Sequence, residues 1–401
     1  MADERADVVV VGAGIVGLAT AYELTRTHPE LTVTVVEKAD DVAGYQSSHN
    51  SGVLHAGIYY APGTLKAQLC GRGKAMIERY AADRGVPFQS NGKVVVATGE
   101  HELERLRTLA ERAKANGVPG VRLIGASELR EIEPAATGVA ALHSPATGVI
   151  DFAAVCRALV RDLRESGATL HTGWPVAELT PTPDGPVEVS GPRGVIRAGA
   201  VISCAGVQAD RLTGPLQDVR IVPFRGSWYR LRGAVAAAIR GNVYPVPDPR
   251  FPFLGVHVTR RIDGEVWAGP NAFLTLAREG RRRTDITLTD ARDALLYGGL
   301  WRFAGRHARA AWPELRHELS RRAYAQEVSR YVPGVVASDL ERGPSGIRAQ
   351  AMLRDGTLVD DFLLREDGNI VHVLSAPSPA ATASMAIAEV LAERVLARLT
   401  S

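Results

Sequence analysis

The sequence predicts an α/β fold, α+β overall, in which a parallel-sheet domain carries an inserted antiparallel-sheet domain. Three observations predict it. The β-branched run Asp7-Val8-Val9-Val10-Val11 reads as a parallel strand buried on both faces, and it closes directly on Gly12-Ala13-Gly14-Ile15-Val16-Gly17. Two more runs of that kind, Ala200 to Cys204 and Ile370 to Val373, return late in the chain. Between them, short strand-like pieces alternate with helical ones and no low-complexity linker intervenes, so the second domain is inserted rather than appended.

Leu18 to Thr27 continues the glycine turn with helix formers, and Thr32 to Val36 is the second β-branched strand, ending at Glu37. Lys93 to Thr98, Val187 to Ser190 and Val266 to Gly269 read as strands, His101 to Asn116 and Phe152 to Ser166 as helices, and Ala380 to Leu399 as a C-terminal helix. At 401 residues and 46% hydrophobic, the chain exceeds what one core usually organises. The expected division gives 1–90, 145–215 and 335–401 to the first domain, and 91–144 and 216–334 to the second.

The net charge of +3 leaves no footprint for a dedicated nucleic-acid binder. Cys70, Cys156 and Cys204 lie far apart without a CxxC, which argues against a disulfide framework or a metal site and fits a reducing cytoplasm. The acidic start of the chain has no secretory pattern, and no run reaches the ~18 apolar residues of a spanning helix. A cytoplasmic protein with at most peripheral membrane contact is expected.

The spacing of Gly12, Gly14 and Gly17 serves a tight turn, close backbone approach to a pyrophosphate, and helix-on-strand packing. The context makes the motif specific, because a strand precedes it, a helix follows, and Glu37 stands where a carboxylate can accept from ribose hydroxyls. That carboxylate would repel a 2′-phosphate, so the adenosine of FAD or NAD is favoured. A dinucleotide fold assembled from the beginning, middle and end of the chain favours a resident FAD. The segment Tyr45 to Tyr60, with His49, Asn50, His55, Tyr59 and Tyr60 among small residues, is dense in hydrogen-bonding groups yet apolar at Val53, Leu54 and Ile58. It reads as an active-site segment; for either histidine alone, a buried turn would be the simpler account.

The run His49 to Tyr60 with Pro62, Gly63, Lys66 and Cys70, the stretch Tyr244 to His257, and Gly269-Pro270-Asn271-Ala272 resemble the L-2-hydroxyglutarate dehydrogenase/oxidase family. So do Gly346-Ile347-Arg348-Ala349-Gln350-Ala351, Leu358 to Phe362 and Ala376 to Thr382. The resemblance spans nearly the whole chain. It implies a D-amino-acid-oxidase-like fold, an FAD-binding Rossmann-like domain with an inserted antiparallel-sheet substrate domain, that oxidises an L-2-hydroxy acid to a 2-oxo acid. Two departures stand out. Ser227 and Trp228 follow Pro223-Phe224-Arg225-Gly226 where the family has Glu and Tyr, and Arg281-Arg282-Arg283 replaces an aromatic after Gly280. Both bear on the substrate's tail and predict a shift in tail specificity.

A 2-hydroxy acid needs a cation for its carboxylate, a base for its hydroxyl proton and a hydride acceptor at its α-carbon. Arg348 is the expected bidentate clamp, with Gly346 permitting close approach to the ring. His55 and His257 compete as base, His55 being preferred. Lys66, Tyr59, Tyr60, Arg225 and Trp228 are expected around the substrate's far end. FAD contacts are expected from Gly12, Gly14, Gly17, Glu37, Lys38, Ser47, Ser48, His49, Asn50, Ser51, Val176, Ala205, Gly206 and Gly346. Pro377, Ala380, Ala381 and Thr382 would offer the positive end of the C-terminal helix to the flavin. The basic stretch Arg278 to Arg283, with Arg316, Arg321 and Arg322, reads as a solvated helix face, or as contact with an anionic membrane that would bring the flavin near quinone acceptors; oxygen or quinone is the expected electron acceptor. An amine or amino-acid oxidase on the same fold, and a nucleotide-binding scaffold without redox turnover, are the competing readings.

Overall fold

The computed structural model describes residues 4–182, 185–214, 216, 218–248 and 254–399. Pro249 to Phe253, part of the Tyr244 to His257 stretch, lie outside them.

An eight-stranded sheet is built on the first strand, Glu4–Val11, between two parallel neighbours, Val33–Val36 and Gly194–Ser203. Thr169–His171 pairs with Val33–Val36, and Ile370–Ser375 with Gly194–Ser203, both parallel. The carboxyl ends Val11, Val36, His171 and Ser203 fall in register, with His372 of Ile370–Ser375 opposite Ser203, at the edge where parallel α/β sheets take ligands. On one face the helices Ile15–Thr27, Leu65–Asp83, Phe152–Glu165 and Ala380–Leu399 bury Val8, Val10, Leu18, Leu24, Leu159 and Leu391. Each such side chain, fully withdrawn from water, contributes about 1.5–3 kcal/mol. On the other face Val9, Val11 and Val201 pack with Trp174, Leu179, Val187 and Val189, the last three carried by the antiparallel strands Glu178–Thr180 and Val187–Gly191 that extend the sheet from Gly194–Ser203.

The second sheet has nine strands in the order Phe273–Leu274, Val219–Leu231, Val266–Gly269, His257–Arg260, Asn242–Pro245, Lys93–Ala97, Ala140–Ser144 and Arg122–Gly125, with Leu340–Leu353 also on Val219–Leu231. It is antiparallel apart from one pair, Asn242–Pro245 with Lys93–Ala97. Leu340–Leu353 thus belongs to the second sheet, and the return to the first sheet comes at Leu363–Asp367 and Ile370–Ser375. Side chains alternate along Lys93–Ala97. Val94 and Val96 join one apolar cluster, Val95 and Ala97 another that contains Ile58, Tyr244 and Val246. By the two-residue period Lys93 shares the second face, and it is only 2% exposed.

Candidate active site

Gly12 holds φ +101°, where a side chain is strained, and a Cβ there would stand 2.6 Å from the Cys204 carbonyl oxygen. The turn therefore lies flush against the neighbouring strand. Gly17 fits the helix onto the same turn, its Cβ position 2.0 Å from the Gly12 oxygen. At the carboxyl edge a crevice of about 360 Å³ opens, walled by Gly12, Gly14, Glu37, Lys38, Ser47, Val176, Ala205 and Gly206, all expected cofactor contacts. The Glu37 carboxylate is buried and oriented by two amides, Ala13 N–H to Oε2 at 2.8 Å and Ala39 N–H to Oε1 at 2.9 Å. Its remaining lone pairs face the crevice. Ser47 Oγ accepts from the Ile15 amide at 2.9 Å, which ties the following segment to the start of the first helix.

Polar walls beyond those contacts include Tyr45 and Gln46, from the expected active-site segment, and Gln208, Arg211 and Glu279, which the sequence did not single out. Glu279 bonds Lys38 and accepts from Gln208 Nε2 at 2.5 Å, while Lys38 Nζ lies 4.3 Å over the Tyr45 ring. This polar cluster joins the crevice to the turn that carries Arg278. Charge-conserving contacts at its rim and a carboxylate at its floor fit the adenosine half of FAD. Glu37→Arg is expected to yield colourless protein after purification; flavin content equal to the parent's would refute the ribose assignment.

Ser48, His49, Asn50 and Ser51 are not walls of that crevice; they carry the chain from it toward the C-terminal helix. Asn50 closes its own turn, donating from Nδ2 to the Gln46 and Ser47 carbonyls at 2.9 and 2.8 Å and accepting from the Gly52 amide at 2.8 Å. Ser48 is exposed and donates to the Ala43 carbonyl at 2.6 Å. His49 Nδ1 bonds the Tyr45 carbonyl at 2.9 Å, and burial lowers its pKa. At the far end Thr382 Oγ1 donates to the Val53 carbonyl at 3.3 Å and accepts from the His55 amide at 3.2 Å. This brings His55 to the first turn of the helix Ala380–Leu399, beside Pro377, Ala380 and Ala381, where amides have no acceptor within the helix.

His55 Nε2 lies 3.4 Å from Ser378 Oγ. His257 donates from Nδ1 to the Gly255 carbonyl at 3.0 Å, since a carbonyl can only accept, and its ring stacks on Tyr244 with centroids 3.8 Å apart. Its Nε2 is thereby the unprotonated nitrogen. Burial, then the charges of Lys93, His257 and Lys66, hold the His55 pKa well below 6.5. Burial, with smaller contributions from Lys93 and Arg348, lowers His257 to about 3. Both imidazoles are neutral near pH 7. Tyr59 and Tyr60 flank them, and burial raises both phenols well above 10. Lys93 completes the cluster, its Nζ 4.0 Å from the Tyr244 ring centroid and 5.2 Å from that of Tyr59.

Other expected contacts are placed differently. Arg225 is buried in an ion pair, Nη2 2.6 Å from Glu318 Oε1, and Glu318 also binds Asn271 Nδ2 at 2.7 Å and Arg283 Nε at 3.2 Å. Its charge is satisfied inside the protein, which corrects the expected substrate contact. Arg225→Met should therefore act on folding. Breaking a buried pair costs on the order of 3–5 kcal/mol, so a lower urea midpoint with near-normal KM is expected, and a raised KM at unchanged stability would restore Arg225 to the site. Lys66 binds Asp360 at 2.9 Å, and Asp361 receives the Leu65 and Lys66 amides. At Gly346 a Cβ would stand 2.2 Å from the His49 oxygen and 3.2 Å from the Trp228 indole. Trp228 is buried and packs on Trp267 at 6.1 Å. Arg348, half-buried, sits opposite Phe224 on the strand pair. Arg278 to Arg283 form a turn rather than a helix face, whereas Arg316, Arg321 and Arg322 are exposed on the helices Gly298–Leu319 and Arg321–Ser329. Arg278 is buried against Asp210, and Arg281 Nη2 donates to the Gly44 carbonyl at 2.7 Å.

A parallel sheet with a glycine turn, a ribose-positioned carboxylate and an enclosed cluster of neutral imidazoles defines a dinucleotide-dependent oxidoreductase. Consistent with this, the family model of FAD dependent oxidoreductases (DAO) matches residues 7–394. L-2-hydroxyglutarate dehydrogenases are similar throughout: that of Nematostella vectensis is 43% identical over 99% of this chain and 92% of its own length. The Homo sapiens enzyme is 42% identical over 98% and 89%, and that of Escherichia coli 38% over 98% and 94%. Among solved structures, FAD-bound L-alpha-glycerophosphate oxidase from Mycoplasma pneumoniae superposes with a TM-score of 0.80 at 25% identity, covering 98% of this chain and 95% of that one. Glycine oxidase from Geobacillus kaustophilus shares the fold, with a TM-score of 0.72 at 19% identity over 98% and 95% of the two chains. The chain belongs to the L-2-hydroxyglutarate dehydrogenase family of FAD-dependent oxidoreductases.

Proposed function

We propose that this enzyme oxidises L-2-hydroxyglutarate to 2-oxoglutarate, with residues 91–144 and 216–334 forming most of the substrate domain. The observation that carries the reading is the neutral His55, held beside the first turn of the C-terminal helix by Thr382. FAD, when bound, supplies the acceptor for the hydride of the α-carbon. His55 takes the hydroxyl proton as the C–O bond gains double-bond character. His257, its Nδ1 committed to Gly255, keeps an acceptor nitrogen beside it. Arg348 fixes the reacting carboxylate through two parallel hydrogen bonds and so sets the face from which hydride leaves. The enclosing tyrosines, Tyr59, Tyr60 and Tyr244, exclude water. Incubating the flavin-loaded enzyme with L-2-hydroxyglutarate and an excess of a two-electron dye tests the reading. One 2-oxoglutarate per dye reduced is expected; dye reduction without 2-oxoglutarate would overturn it.

The depressed His55 pKa has a sign. Lowering a base's pKa extends its proton-accepting form to lower pH, so the acid limb of kcat/KM should lie below pH 6.5. A limb at or above 6.5 would assign the base to another group.

We propose further that the electron acceptor is met at a membrane surface. Ile286, Leu288, Leu296 and Trp301, all more than half exposed, cluster in sequence on the helices Leu288–Leu295 and Gly298–Leu319 and the residues that flank them. Exposed apolar side chains in such density mark an interaction surface. No helix among the described residues is long and apolar enough to cross a membrane. Cosedimentation with anionic vesicles is expected and should be lost in Leu288→Ser/Trp301→Ser; retention of the protein in the supernatant at low salt would leave oxygen or a soluble carrier as acceptor.

A further inference from the structure

Lys93 enters a wholly buried position as the only polar residue of the strand Lys93–Ala97. Buried lysines ordinarily come with a carboxylate. The other two interior cations expected at the substrate already have one: Arg225 has Glu318 and Lys66 has Asp360. Among the described residues no acid pairs with Lys93; Tyr59, Tyr244, His55, His257 and Cys70 surround it instead. Beside it Tyr59 Oη is buried with no hydrogen-bond partner in the protein. An unpaired ammonium and an orphan phenol O–H, side by side in an enclosed cluster, are donors placed for an absent acceptor.

We propose that Lys93 and Tyr59 bind the carboxylate remote from the reacting hydroxyl and so select a dicarboxylic 2-hydroxy acid. This rests on the reading of the enzyme as a 2-hydroxy-acid dehydrogenase and deepens it. Lys93 and Arg348 both lie close enough to His257 to lower its pKa, so a short diacid can place one carboxylate at each. The tail therefore meets a cation on Lys93–Ala97, whereas the Trp228 indole packs on Trp267 and against Gly346. Ser227 and Trp228 thus leave the diacid tail unaltered.

Protonation follows the charge. Burial lowers the Lys93 pKa to about 7, the nearby Cys70 thiol raising it slightly. The phenols and thiol around it are raised and the imidazoles lowered, so all are uncharged near neutrality. A bound carboxylate favours the ammonium form, so diacid binding takes up a proton above about pH 7. KM for the diacid should rise with pH there by up to tenfold per unit.

The test compares Lys93→Met and Tyr59→Phe with the parent holoenzyme on two substrates, L-2-hydroxyglutarate and L-2-hydroxyvalerate, which lacks the second carboxylate. Lys93→Met should lose at least about 100-fold in kcat/KM on the diacid, mostly through KM, and less than about threefold on the monoacid. Its pH-dependent rise in KM should vanish. Tyr59→Phe should show the same selectivity with a smaller loss, about tenfold. Removing a buried unpaired ammonium should leave the melting temperature unchanged or higher, and flavin content keeps that readout independent of activity. Equal losses on both substrates would place Lys93 at the reacting end and overturn the proposal. Loss of selectivity in neither variant would do the same. A parent enzyme inactive on both acids would refute the dehydrogenase reading itself, a result distinct from either.

Discussion

His55→Ala should slow flavin reduction by L-2-hydroxyglutarate about 10²- to 10⁴-fold, the usual contribution of a positioned general base, while FAD stays bound. Among the described residues the side chain makes one long hydrogen bond, to Ser378 at 3.4 Å, whereas its backbone carries the bonds to Thr382 and to the Cys70 thiol. Replacement thus removes chemistry and little structure. His257→Ala is expected to cost less, because its imidazole is committed at Nδ1 and braces Tyr244 by stacking. Stopped-flow anaerobic reduction measures both. A larger loss in His257→Ala than in His55→Ala would exchange the two roles.

The second large effect is expected at Arg348. Arg348→Met should reduce kcat/KM by roughly 30- to 1,000-fold, about 2–4 kcal/mol, as when one partner of an enclosed charge pair is truncated. Arg348→Lys should recover only part of this, because an ammonium keeps the charge and lacks the planar fork. The loss should fall on L-2-hydroxyglutarate and on monocarboxylic 2-hydroxy acids alike, since both present the carboxylate next to the reacting carbon. That common loss separates Arg348 from Lys93. If Arg348→Lys falls less than threefold, bidentate clamping is wrong.

The dinucleotide half of the molecule is legible in the sequence because its signals are local. Val8 to Val11, the glycine turn and Glu37 lie within one β-α-β unit, and the crevice they build is the one their spacing predicts. The second sheet is legible only in part. Lys93–Ala97 and Val266–Gly269 read as apolar strands, but Leu340–Leu353 is rich in Arg, Gly and Ser, and its strand character comes from its long partner, Val219–Leu231.

Charge was the least legible property. Arg225, Lys66 and Lys93 look alike in a sequence, and their roles differ by which acid the fold delivers. Glu318 and Asp360 come from far along the chain, and among the described residues Lys93 receives none. The one local signal for Lys93 is a cation heading a run of valines whose alternate residues are all buried. Trp228 illustrates the converse. A substitution that reads as a change in the pocket is accounted for by packing against Trp267 and Gly346.

The most direct test of the central claim is anaerobic bleaching of the bound flavin by a panel of acids. L-2-hydroxyglutarate should bleach it fastest, L-2-hydroxyvalerate more slowly, and D-2-hydroxyglutarate and L-glutamate not measurably. Faster bleaching by L-glutamate or by another amine, with none by L-2-hydroxyglutarate, would contradict the assignment and make this fold an amine oxidase.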